Sequence, residues 1–295
     1  MTQAEATAVL TLEDYKGHIE PDWCPGCGDF GVLKSLGQAA AELQIQQKDI
    51  VIVSGIGCSS NLPGFFNSYA VHSIHGRAVP VATGICLANK DLHVVITGGD
   101  GDGYGIGMGH FVHAMRRNLN LTYIVMDNQI YGLTTGQCSP TSAMEMKSKS
   151  TPAGNIEEPI NPITLGLVCG ATFISRAYSG APKQMTDTIA KAIKHKGFSL
   201  VDVFSPCVTY NKVNTYPWFR ERVYHMDKDG HDKTSFDGAM AKGFEFGDRI
   251  PLGIFYQVDK PTYEDRDLAL QGEALVKQKV GMTNEQGREL LGEYL

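Results

Sequence analysis

"LHVVITGGDGDG" occupies residues 92–103. A short β-branched apolar run that stops in glycines reads as a strand buried on both faces and released into a tight loop. The same design stands at "IVIVSGIG" (50–57). Residues 104–117 then read as a helix, "LTYIVMDN" (121–128) as a third strand and "TFISRA" (172–177) as a fourth. Residues 182–196, opened by Pro182, read as a helix, and "FSLVDVFSPC" (198–207) as a fifth strand. Buried strands alternating with helices predict an α/β fold: a doubly wound, mostly parallel sheet. In such sheets ligands sit beyond the carboxyl ends of the strands. Three Gly-rich or polar loops, 55–60, 98–103 and 127–134, fall at such ends.

Upstream, Val32, Leu33, Leu36, Ala40 and Leu43 keep helical spacing over 30–43. Residues 134–162 form a long Thr-, Ser-, Pro- and Lys-rich loop, and a loop of that length in a compact domain is commonly functional. After residue 207 the period is lost. The expected division is 1–207 as the ligand-binding domain and 208–295 as an extension packing on it or on a partner. Thr283 and Gln286 suggest a capping box opening a terminal amphipathic helix that runs to Leu295.

The chain has 295 residues, 42% hydrophobic and 20% charged, with a net charge of −6, so it has ample core and no concentrated basic face for nucleic acid. No apolar run approaches the roughly 18 residues of a membrane span. The acidic start lacks a charged-then-apolar leader. The seven cysteines, read without an export signal, suggest a reducing, cytoplasmic setting.

Asp100 stands between Gly99 and Gly101 at the end of the quoted run. Glycines let backbone N–H groups crowd against phosphate oxygens, and a carboxylate among them suits a hard divalent cation on a diphosphate. Asn128 ends the next strand, so its side-chain oxygen and the carbonyl of Ile130 are placed to complete that coordination. Cys24 and Cys27 form a Cys-x-x-Cys in "PDWCPGCGDFG" (21–31), and Cys58 and Cys207 follow the first and fifth strands. Four thiolates converging from loops suit Zn²⁺ and a [4Fe–4S] cluster equally well, and spacing does not separate the two. A thioredoxin-type pair fits less well, because it needs no third or fourth partner. Cys86 and Cys169 lie in apolar stretches and read as core; Cys138 lies in the long loop with no assigned role.

The Gly-Asp-Gly…Asn pattern resembles the thiamine diphosphate motif. Together with "WCPGCG", "GIGCS", "HGRA" and "SPC" it resembles the β subunit of the 2-oxoacid:ferredoxin oxidoreductases, over most of residues 20–210. The resemblance implies a thiamine diphosphate-binding fold and three cofactors. Asp100, Asn128 and Ile130 would hold Mg²⁺, with Asp127 where the family usually shows a second Asn. Cys24, Cys27, Cys58 and Cys207 would hold the [4Fe–4S] cluster. Ile56, Gly57, Cys58 and Ser59 would line the cofactor, as would Ile74, His75, Gly76 and Arg77. Gly99, Gly101 and Asp102 would lie on the diphosphate side. Tyr131, Gly132, Leu133 and Thr134 would face thiazolium and substrate. His75, Leu133 and Thr134 are the catalytic candidates.

The implied reaction is oxidative decarboxylation of a 2-oxoacid, with coenzyme A as acyl acceptor and ferredoxin as electron acceptor. The glutamate that activates thiamine would come from the pyrimidine-binding domain of an α subunit, in an (αβ)2 assembly without nucleic acid or membrane. "GIGCSSNLPGFF" and "YGLTTGQCSPT" resemble the 2-oxoglutarate-type β subunits. Asn61 and Thr135 stand where some broad-range relatives carry Lys, so the cation for a distal carboxylate would come from Arg77 or the α subunit. The alternatives are a pyruvate, branched-chain or indolepyruvate enzyme, a zinc-stabilised non-catalytic subunit, and a pure electron-transfer protein.

Overall fold

A computed structural model describes residues 9–279 and 281–294. The leader reading at residues 1–8 and the helix end at Leu295 lie outside them. Eight strands form one sheet: β1 (Ile50–Ser54), β2 (Tyr69–His72), β3 (His93–Gly99), β4 (Thr122–Asp127), β5 (Phe173–Tyr178), β6 (Ser199–Phe204), β7 (Val223–His225) and β8 (Ile250–Gln257). Their order is β2-β1-β3-β4-β6-β5-β8-β7, and every neighbouring pair is parallel except β5 with β8. The expected doubly wound, mostly parallel α/β sheet is the observed one.

The pleat explains how the strands hold two cores. Ile50, Ile52, Ile124 and Met126 point to one face, and Val51, Val53, Tyr123 and Val125 to the other. Helices α1 (Asp29–Glu42), α2 (Ala78–Ala88), α3 (Met108–Arg117), α4 (Pro162–Val168) and α5 (Pro182–Lys194) cover them. Val32 and Leu36 of α1 and Ile189 of α5 join the first core; Ala82 of α2, Phe111 of α3 and Leu167 of α4 join the second. All six residues of β4, β5 and β6 are buried, so these strands show no alternation of polar and apolar residues.

Three elements depart from expectation. The helix expected over 104–117 begins only at Met108, because Gly101–Ile106 makes a wide π-type turn that breaks at Gly105. Strand β2, YAVH, went unread because four residues are too short a run to show a period; all four are exposed at the sheet edge. The region after residue 207 contributes β7 and β8 to the sheet itself, β8 pairing antiparallel with β5. The terminal helix Asn284–Gly292 carries the expected capping box and buries no residue.

Candidate functional site

The acid loop follows β3. Asp100 is 1% exposed, and its Oδ2 accepts hydrogen bonds from Ser139 Oγ and, at 2.6 Å, from Thr141 Oγ1. Thr141 Oγ1 also lies 2.7 Å from Oδ1 of Asp127, which ends β4. One hydroxyl proton cannot serve both carboxylates at once. Burial pushes Asp100 up to about 6, and burial together with the charge of Asp100 pushes Asp127 well up. Among the described residues no Lys, Arg or His forms an ion pair with either. Two buried carboxyls without a basic partner favour a bound cation. Asn128 and Ile130 stand beside them: Asn128 Oδ1 accepts from the Ile130 amide at 3.0 Å in a local turn. These donors are all oxygens, which fits Mg²⁺.

The long loop 134–162 closes over this site. Ser139 and Thr141 come from it, and Ser142 Oγ donates to the Gln129 carbonyl at 2.6 Å. Neither hydroxyl bonded to Asp100 stood out in the sequence; only the loop's length and Ser/Thr content pointed there. Asn211 was also missed. Its side chain donates to the Asn128 carbonyl at 3.0 Å and its amide to the Cys207 carbonyl at 3.1 Å. It therefore pins the acid loop to the cysteine loop.

Asp102 is the post between two other loops. Its Oδ1 accepts from the amides of Ile56 (2.9 Å) and Gly76 (2.8 Å) and from His75 Nδ1 (2.8 Å). Gly55 has no side chain because the Asp102 carboxyl fills that space. A carboxylate on Nδ1 fixes the His75 tautomer and leaves Nε2 available. Arg77 donates to the carbonyls of His75 and Gly76, so its guanidinium braces its own loop. Gly57 has φ +132° with open space where a Cβ would sit, and Ser59 is buried beside Gly99. Gly101 makes room for the Tyr131 ring, whose hydroxyl donates to the Gly101 carbonyl at 3.1 Å. Ile74 is exposed. Leu133 and Thr134 sit on an exposed turn closed by the Tyr131–Gln137 bridge, with Thr134 Oγ1 donating to Gln137 Oε1 at 2.5 Å.

Cys24, Cys27, Cys58 and Cys207 line one cavity of about 230 Å³ with Asn128 and Leu133. The Cys-x-x-Cys turns through Gly26 at φ +85°, with the Cys27 amide donating to the Cys24 carbonyl at 2.9 Å. Trp23 Nε1 donates to the Cys58 carbonyl at 2.7 Å, and its ring packs edge-on against Phe30 and Phe65. Burial, then Asp29, then Cys207 push the Cys58 thiol up to about 11; burial and Asp29 push Cys27 higher still. Such thiols give up their protons only to a strong Lewis acid. Four thiols round one cavity suit a [4Fe–4S] cluster or Zn²⁺ alike.

The two sites touch. A Cβ on Gly132 would lie 3.6 Å from the sulfurs of both Cys58 and Cys207 and 3.9 Å from Asn128 Nδ2. The remaining cysteines are free thiols elsewhere: Cys86 donates to Glu264 Oε1 at 2.8 Å, Cys169 packs on the second core, and Cys138 lies 3.2 Å from Thr151 Oγ1. Among the described residues no helix is long and apolar enough to cross a membrane.

Comparison with known proteins bears on the same residues. Residues 55–203 match the family described as thiamine pyrophosphate enzyme, C-terminal TPP binding domain. Residues 207–271 match the family that describes the C terminal of the pyruvate ferredoxin oxidoreductase beta subunit. The 2-oxoacid:ferredoxin oxidoreductase subunit beta of Sulfolobus sp is 48% identical over 258 residues, covering 83% of this chain and 85% of that protein. The 2-oxoglutarate synthase subunit KorB of Methanocaldococcus jannaschii is 36% identical over 259 residues, covering 85% and 92%. A chain of the solved 2-oxoglutarate:ferredoxin oxidoreductase from Magnetococcus marinus, a structure with 2-oxoglutarate, coenzyme A and succinyl-CoA bound, is similar with a TM-score of 0.90. It is 43% identical and covers 97% of each chain.

Proposed function

Because this chain belongs to the β subunits of the 2-oxoacid:ferredoxin oxidoreductases, we propose that it binds thiamine diphosphate, Mg²⁺ and one [4Fe–4S] cluster and acts on 2-oxoglutarate. With its α subunit it would convert the 2-oxoacid and coenzyme A reversibly into acyl-CoA and CO2 and pass electrons to ferredoxin. The observation that carries this reading is the contact between the two sites: Gly132 is flanked by two cysteine sulfurs and by Asn128. An electron leaving a cofactor bound at the acid loop would find the cysteines a short step away across Gly132.

When bound, thiamine diphosphate supplies the electron sink for decarboxylation and the cluster accepts single electrons. The chain's own residues do the rest. Asp100, Asn128 and the Ile130 carbonyl would hold Mg²⁺, with Ser139 and Thr141 orienting the carboxylate. Ile56, Gly57 and Ser59 on one side, and Ile74, His75, Gly76 and Arg77 on the other, would frame the cofactor, their loops tied by Asp102. Gly99 and Gly101 would border the diphosphate, and Tyr131 would keep its ring against Gly101. His75 Nε2 would hold or move a proton. Leu133 and Thr134 would face the substrate and limit water there. The α subunit would supply the activating glutamate, in an (αβ)2 assembly.

The test is anaerobic co-purification with the α subunit. About four irons per β chain, with cluster absorption bleached by 2-oxoglutarate plus coenzyme A, is the expected result. Zinc without iron would overturn the electron-transfer reading. Bleaching by pyruvate alone would replace the substrate, a reading that the pyruvate ferredoxin oxidoreductase match over residues 207–271 keeps in view.

A further inference from the structure

Asp29 opens α1 two residues after Cys27, and it is a carboxylate with only 1% of its surface exposed. An ordinary helix start leaves such a residue in water, where a first-turn carboxylate interacts favourably with the exposed N–H groups. Here it points inward. Its Oδ1 accepts from Ser205 Oγ at 2.5 Å, and its Oδ2 has no hydrogen-bond partner among the described residues. Ser205 begins "SPC", two residues before Cys207. The backbone repeats the link: the Gly28 amide donates to the Pro206 carbonyl at 3.2 Å, and Gly28 has no side chain because Ser205 occupies that space. Two segments far apart in sequence, each carrying cysteines, are thus joined by a buried carboxylate. Asp29 stands two residues after Cys27 and its hydroxyl partner two residues before Cys207, so the carboxylate is held between the two cysteine segments.

We infer that Asp29 is a positioning residue for the cluster: with Ser205 it locks the Cys24/Cys27 turn to the Cys207 loop and sets a negative charge against the iron–sulfur centre. The inference rests on the cluster reading above. A negative charge held close in a poorly screened interior disfavours adding an electron. It therefore keeps the cluster's midpoint potential low, which helps it pass electrons onward.

The test uses the αβ complex purified anaerobically, as wild type, Asp29→Asn and Ser205→Ala. Iron content and cluster lifetime in air report the lock. The midpoint potential from a redox titration followed by electron paramagnetic resonance reports the charge. Asp29→Asn is expected to raise the midpoint potential. Ser205→Ala keeps the carboxylate and is expected to shorten cluster lifetime several-fold. A wild-type potential in Asp29→Asn, or a wild-type lifetime in Ser205→Ala, overturns the inference. If Asp29→Asn does not assemble a cluster, the Ser205→Ala lifetime decides. Iron-free wild type would instead overturn the cluster reading itself, so the two failures are distinguishable.

Discussion

Asp100 and Asp127 are 1% and 2% exposed and both face the Thr141 hydroxyl, whereas Cys24 is exposed and Cys27, Cys58 and Cys207 stand half-buried round a cavity. The acid loop is finished by the chain itself: two strand ends, a folded-back loop and several hydroxyls hold the carboxylates before any cation arrives. The cysteine pocket is assembled from three loops whose thiols face one cavity. One site is preorganised and strained by buried charge; the other is a more open pocket whose thiols come from three separate loops. Removing a cation from the acid loop should therefore be tolerated structurally, while removing a group that the cysteines bind should loosen the loops around it.

The sharpest way to break this comparison is Cys207→Ser. A hydroxyl is a poor ligand for iron, so the variant should lose the cluster and, with it, ferredoxin reduction. Iron analysis of the αβ complex checks it. A full complement of iron in the variant would remove Cys207 from the site. Next in size, Asp100→Asn should cut activity by at least about a hundredfold, since even an outer partner of a metal ligand is worth 10–100-fold. Thiamine diphosphate affinity at varied Mg²⁺ measures it. Near-wild-type affinity would move the cation site elsewhere.

Much of this contrast was legible in the residues. Asp100, Asn128 and the four cysteines all lie at the carboxyl ends of buried strands or in a Gly-Pro turn, and such short-range patterns survive folding. What could not be read was action at a distance. Thr141 and Ser139 reach Asp100 from a loop about forty residues later, and no periodicity marks a hydroxyl that will fold back. Asp102 carries the same letters as Asp100 in "GDGDG", yet the turn sends one carboxyl toward the Thr141 hydroxyl and the other toward Ile56, His75 and Gly76. Strand β2 is four residues long and β7 three, too short for either to show a period of its own. The run "IPLGIFYQ" of β8 is apolar enough to have been read, but Pro251 and Gly253 interrupt it, and both residue types argue against a strand.

The strain of buried charge gives a pH test. Asp100 titrates at about 6 in the folded, metal-free chain against 3.8 unfolded. Between those values the native state holds a proton that the unfolded state has released, so Asp100's contribution to stability falls as pH rises and levels off above about 6. The total is at most about 3 kcal/mol. Asp100→Asn should make this slope shallower, leaving the part that buried Asp127 and Asp29 contribute, and be the more stable chain at pH 7.5 without metal, while Mg²⁺ with thiamine diphosphate should reverse the order. Thermal unfolding in chelator at pH 4.5 and 7.5 checks it. Parallel profiles for wild type and variant would mean that Asp100 is not strained.

The smallest effect should come from Thr141→Val, which keeps shape and removes only the shared hydroxyl. With the proton gone, Asp100 retains Ser139 and Asp127 retains the Gln129 amide, bonded to its Oδ1 at 3.1 Å. The loss should therefore be about 1–3 kcal/mol, the cost of one unmade buried hydrogen bond. It should fall on the metal-free chain, because a bound cation takes over the hydroxyl's task of screening one carboxyl from the other. Titrating Mg²⁺ into wild type and Thr141→Val while following unfolding separates the cases. A deficit that closes at saturating Mg²⁺ fits a preorganised site whose last partner is the cation. A deficit that persists would make Thr141 a structural link between the long loop and the sheet, and the acid loop would then depend on its cover as the cysteine pocket depends on its cluster.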